Sequence, residues 1–130
     1  VASMRKLRDR VHKWKDSSQR QADLAIRDAK GYEADGKRKD CLAALEKAVH
    51  ASIEAATGLR SRGILREELA EQLTERGISS GLAEKVVAFF GDCEALRYEP
   101  EQDTSKATDL IHRAERIVAD LPVKVRRKSA

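Results

Sequence analysis

The residues whose types could do chemistry in this 130-residue chain are three histidines, two cysteines and a polar cluster, Glu94, Arg97 and Tyr98, at the end of its most apolar stretch. His12, His50 and His112 are widely separated and fall in different helical patterns. None stands in a His-Glu-x-x-His or Cys-x-x-Cys frame, so spacing gives no metal ligand set. There is no Gly-rich phosphate loop and no G-x-S-x-G elbow. Cys41 and Cys93 each lie within an apolar helical pattern and read as free buried thiols in a reducing, cytoplasmic compartment. No catalytic, metal or cofactor-binding residue is therefore assigned, and no cofactor is expected. Arg97 stands one helical turn after Glu94, where the two can pair, and its charge suits a helix C-terminus. Exposed Tyr and Arg are common interface anchors. Glu94, Arg97 and Tyr98 thus read either as a clasp fixing the end of a helix or as a partner-binding set.

The element that must position them runs from Ser79 to Pro100. Leu82, Val86, Phe89, Phe90, Cys93 and Leu96 recur at helical spacing, with Ser79 or Ser80 placed to cap the start and Pro100 past the end. Both phenylalanines of the chain are here, and the rest of the sequence reads as cover for this helix. Before it, Leu65, Leu69 and Leu73 mark a short helix over Ile64–Leu73, with Glu67 and Glu68 favouring its N-terminal dipole and Gly77 ending it. Cys41, Leu42, Leu45, Val49, Ser52, Ile53 and Ala56 predict a helix over Asp40–Ala56, ended by Gly58 as a left-handed cap. Ala22, Ala25, Ala29 and Tyr32 give a preceding helix from Ser17 to about Ala34, either separate from the first or continuing it. After Pro100, Asp103 or Thr104 caps a last helix whose inner face is Ala107, Leu110, Ile111, Ala114, Ile117, Val118 and Leu121, and Pro122 is expected to stop it. Residues after Pro122 read as a disordered tail.

The fold expected is an all-α, compact bundle of five or six helices. Its organisation is a basic amphipathic helix over residues 1–20, a bundle over 21–121 and a basic tail over 122–130. The hairpin of the Ser17–Ala34 and Asp40–Ala56 helices, with Gly31, Tyr32, Gly36 and the run LAALEKAV, looks like a single tetratricopeptide unit, although no 34-residue period recurs.

Charge narrows the function classes. Residues 1–20 carry seven Lys/Arg against two Asp, residues 122–130 carry four Lys/Arg and no acid, and the middle is acidic. An acidic body with basic ends is not the footprint of a cationic nucleic-acid binder. Basic ends suit an anionic membrane surface at least as well. Met4, Leu7, Val11 and Trp14 draw one apolar stripe through the first segment, so Arg5, Lys6, Arg8, Arg10, Lys13, Trp14 and Lys15 are the candidate membrane-surface residues. The alternative is that the stripe packs on the bundle. Arg5 and His12 also resemble the spacing of helical HEPN ribonucleases, a pattern that so basic a segment meets easily.

The run from Gly58 to Pro100, with Glu68, Leu69, Leu73, Gly77, Leu82 and then Cys93, Glu94, Arg97, Tyr98 and Pro100 of CEALRYEP, resembles the cytosolic C-terminal domain of BatD-like membrane proteins of bacterial aerotolerance operons. The resemblance covers most of residues 38–121. It implies the cytoplasmic, protein-interacting part of a single-pass inner-membrane protein, with a membrane-proximal N-terminus in keeping with the positive-inside rule. It also implies partners among von Willebrand factor A domain proteins and a MoxR-type AAA+ ATPase, and no catalytic residues. The other reading is a free-standing tetratricopeptide-like adaptor that binds peptide tails.

Overall fold

In the computed structural model the backbone is described for residues 2–100 and 104–129, and side chains for 17–100 and 105–121. Five α-helices and one 3-10 turn account for nearly all of the described residues: α1 (Ala2–Ala34), α2 (Arg38–Thr57), the turn Ser61–Gly63, α3 (Arg66–Glu75), α4 (Ser80–Arg97) and α5 (Thr104–Ser129). The chain is an all-α bundle.

The first two segments of the N-terminal pattern are one continuous helix, because nothing between Trp14 and Ala22 breaks a helix. Gly36, at φ 73°, reverses the chain after α1, and Gly58, at φ 79°, closes α2 with its N–H on the Glu54 carbonyl. Both positions lie in the left-handed region where a side chain is strained. Thr57 secures the same end, its hydroxyl donating to the Ile53 carbonyl at 2.7 Å and accepting from the Leu59 N–H at 3.1 Å. Ser79 caps α4 by accepting from the Leu82 N–H at 3.3 Å.

Two expectations are corrected. Leu65 does not share the inward face of Leu69 and Leu73. The helix begins at Arg66, two residues after the expected start at Ile64, and the extended backbone of Leu65 turns its side chain out to 66% exposure. Nor does Pro122 end the last helix, which continues to Ser129. A proline's fixed φ is compatible with helical backbone, so its cost is one lost N–H and crowding of the preceding turn rather than a compulsory stop. The same continuation puts the expected tail in a helix. Asp103, one of the two proposed caps, lies outside the described residues, as does the N-terminal residue.

The centre of the bundle is α2 rather than α4. Ten of its residues are buried, and it touches α1, α4, α5 and the 3-10 turn. Half of its buried residues are Ala or Ser (Ala44, Ala48, Ala51, Ser52 and Ala55), and α1, which packs on it, buries Ala22, Ala25 and Ala29, side chains small enough for close backbone approach. The Ser52 hydroxyl is buried there with no hydrogen-bond partner among the described residues. α5 packs against both helices of the hairpin with the whole predicted face, Ala107 to Leu121, buried. α5 thus covers part of the hairpin that looks like a tetratricopeptide unit.

Candidate functional site

Around the end of α4 the sequence-derived cluster separates into two supports and one free side chain. The Arg97 guanidinium pairs with Glu46 of α2, not with Glu94. Glu94 pairs with Arg66 of α3, whose side chain crosses Gly91; a β-carbon there would come within 3.7 Å of the guanidinium. The expected Glu94–Arg97 pair does not form because each residue meets an opposite charge on a neighbouring helix. Tyr98 follows as the C-cap of α4 and is 77% exposed. It follows Glu94, whose carboxylate meets Arg66, the residue after exposed Leu65.

The segment after Tyr98 is tied down as well. The Glu99 carbonyl accepts from Arg38 at the start of α2, and its carboxylate pairs with Lys106 of α5 at 2.6 Å. Two turns away, Arg113 of α5 pairs with Asp92 at 2.7 Å. Between α4 and α5 this leaves a cleft of about 430 Å³ lined in part by Leu96, Glu99, Lys106 and Arg113, open and mixed in charge. A second hollow of about 390 Å³ along the same two helices has Leu82, Ile117, Lys85, Arg113, Arg116 and Asp120 on its walls.

A third feature was not anticipated from sequence. His50 Nδ1 and Ser61 Oγ share a hydrogen bond at 2.5 Å, and the imidazole stacks on Phe90 with ring centroids 4.4 Å apart. Serine beside histidine is the start of a nucleophilic pair, but Ser61 is 3% exposed, and neither the hydrogen bonds nor the ion pairs give His50 an orienting carboxylate. Burial, and secondarily the Arg62 charge, push the His50 pKa down to about 4. The pair holds the 3-10 turn against α2 and α4. Only the eleven-residue spacing across Gly58 hinted at it, and spacing alone cannot bring a loop serine back to a helix. Both thiols are buried and free; burial raises Cys41 to about 11 and Cys93 to about 12, so neither is a nucleophile at neutral pH. No group of three or more metal-ligating side chains occurs among the described residues.

The candidate membrane-surface side chains Arg5, Lys6, Arg8, Arg10, Lys13, Trp14 and Lys15 lie outside the described side chains, as do those of Met4, Leu7, Val11 and His12. Among the described residues no helix is long and apolar enough to cross a membrane. No family model matches this chain, and neither a curated protein nor a solved structure matches it.

Two measurements test this geometry. The Arg97–Glu46 pair is only 31% and 20% exposed, so Arg97→Ala is expected to destabilise by about 1–2 kcal/mol. In a double-mutant cycle with Glu46→Ala, read by urea unfolding, the two changes should couple, and strictly additive losses would contradict the pairing. His50 has a folded pKa below its unfolded value, so the unfolded chain binds more protons between pH 4 and 6.5. Its stabilising contribution is complete above pH 6.5 and is lost as pH falls toward 4. The stability difference between wild type and His50→Phe should therefore shrink by roughly 2 kcal/mol between pH 7.5 and 4.5; a constant difference would show that His50 does not titrate this way.

Proposed function

We propose that this chain is a non-catalytic protein-interaction domain, and that its docking surface is centred on Tyr98. The observation that carries the reading is the contrast at the end of α4. Glu94, Arg97 and Glu99 are each spent on contacts to α3, α2 and α5, while the aromatic side chain among them is left three-quarters in solvent. A large amphipathic ring on a backbone fixed from three sides loses little entropy when a partner covers it, which is what an interface anchor requires. Leu65, also exposed, adds apolar surface next to Arg66, and the Arg66–Glu94 pair supplies a polar rim.

The resemblance of CEALRYEP and the preceding leucine helix to BatD-like proteins supports a more specific form of this reading. The chain would be the cytoplasmic part of a membrane-anchored aerotolerance or stress protein at a bacterial inner membrane. Its partners would be von Willebrand factor A domain proteins and a MoxR-type AAA+ ATPase. The basic N-terminal segment, with its apolar stripe and Trp14, would lie against the anionic membrane surface.

Titration of the chain with a purified von Willebrand factor A domain and with a purified MoxR-type ATPase tests the assignment. The Leu65→Ala/Tyr98→Ala variant should bind one of them at least tenfold more weakly, about 1.4 kcal/mol, with an unchanged melting temperature. Equal affinity for variant and wild type would remove Tyr98 from the interface, and no binding of either protein would remove these partners.

A further inference from the structure

The two hollows along α4 and α5 differ in how their charges are answered. In the first, of about 430 Å³, Lys106 already pairs with Glu99 at 2.6 Å and Arg113 with Asp92 at 2.7 Å, and Asp109 adds a further carboxylate to the wall. In the second, of about 390 Å³, Leu82 and Ile117, both almost wholly buried, and Ala88 give an apolar lining. Exposed Lys85 of α4 and exposed Arg116 of α5 contribute one cation from each helix. Among the described residues neither takes part in an ion pair. Arg113 lines this hollow too, but its charge is met by Asp92. Asp120 is the one carboxylate in the lining, and it stands four residues after Arg116 without pairing with it.

These cations do not belong to a generally basic surface. Residues 17–121 hold 16 Lys/Arg against 20 Asp/Glu, and around α4 the side chains of Arg66, Arg97, Lys106 and Arg113 each reach a carboxylate. An apolar hollow with an unanswered cation from either helix is complementary to a ligand that is apolar in the middle and anionic on both sides. Small-molecule sites enclose most of their ligand, whereas this hollow is half open to solvent. It therefore suits one side chain of an extended segment that crosses it.

We propose that this hollow is a docking site for an acidic segment of a partner protein. One apolar side chain of that segment enters against Leu82 and Ile117, and the carboxylates on either side of it meet Lys85 and Arg116. Asp120 faces the same ligand and weakens its attraction. Lys85 stands about 20 Å before Tyr98 along α4, so the site is separate from the surface centred on Tyr98 and the inference does not rest on it.

The test is a titration of the ¹⁵N-labelled full chain with the capped peptide Gly-Glu-Glu-Leu-Glu-Glu-Gly, followed by amide chemical shifts. Saturable shifts are expected within 82–88 and 113–120, and they should weaken as salt is added. The Lys85→Gln/Arg116→Gln variant should bind about fivefold more weakly with an unchanged melting temperature, in line with the loss of two exposed charge pairs. Asp120→Asn should bind at least twofold more tightly, a gain that a misfolded variant could not give. Tyr98→Ala should bind as wild type does, and a peptide with serine in place of leucine should bind more weakly. Shifts confined to residues 1–16 or 122–130, no shifts at all, or equal affinity for the double variant would overturn the proposal. Hexanoate giving the same shifts at the same concentration would assign the hollow to a small amphiphile and overturn the peptide site.

Discussion

Close packing around α2 is the constraint on which the rest of the structure depends. The helix buries Ala44, Ala48, Ala51, Ser52 and Ala55 beside Cys41, Leu42, Leu45, Val49 and Ile53. Small residues allow neighbouring backbones to come together, and the larger ones fill the space between helices. The Ser52 hydroxyl is buried without a hydrogen-bond partner among the described residues. Because α2 is enclosed, charges that reach it from other helices are partly shielded from water. That is why Glu46 can hold Arg97, and why His50, stacked on Phe90, stays neutral.

This enclosure connects fold to function through α4. The helix delivers Phe89, Cys93 and Leu96 to the core, and immediately beyond them its polar residues clamp it to three neighbours. Tyr98 is therefore exposed without being loosely held.

Much of this was legible in the sequence. Helical periodicity gave the inner faces of α2, α4 and α5, and Ser79, Gly36 and Gly58 marked boundaries that the structure keeps. Leu65 was misread because periodicity does not say at which residue a helix starts, and one extended residue is enough to turn a side chain outward. Pro122 was misread because a proline weakens a helix without always ending it. α4 looked like the centre because it is the most apolar, yet an alanine-rich helix such as α2 is buried by its neighbours' proximity rather than by its own hydrophobicity. Glu94, Arg97 and Tyr98 were visible as a cluster. Their partners Arg66 and Glu46, and the His50–Ser61 contact, depend on interhelix register that no local pattern records.

Site-directed labelling tests the docking surface on Tyr98 most directly. Cys41 and Cys93 are buried with raised pKa values, so a thiol-reactive, environment-sensitive fluorophore will select a cysteine introduced at the surface. With the label at exposed Ala95→Cys, one turn before Tyr98, or at exposed Leu24→Cys on α1, addition of a purified von Willebrand factor A domain or MoxR-type ATPase should shift the emission from position 95 and leave that from position 24 unchanged. Equal shifts at the two positions, or a shift at 24 alone, would contradict the account.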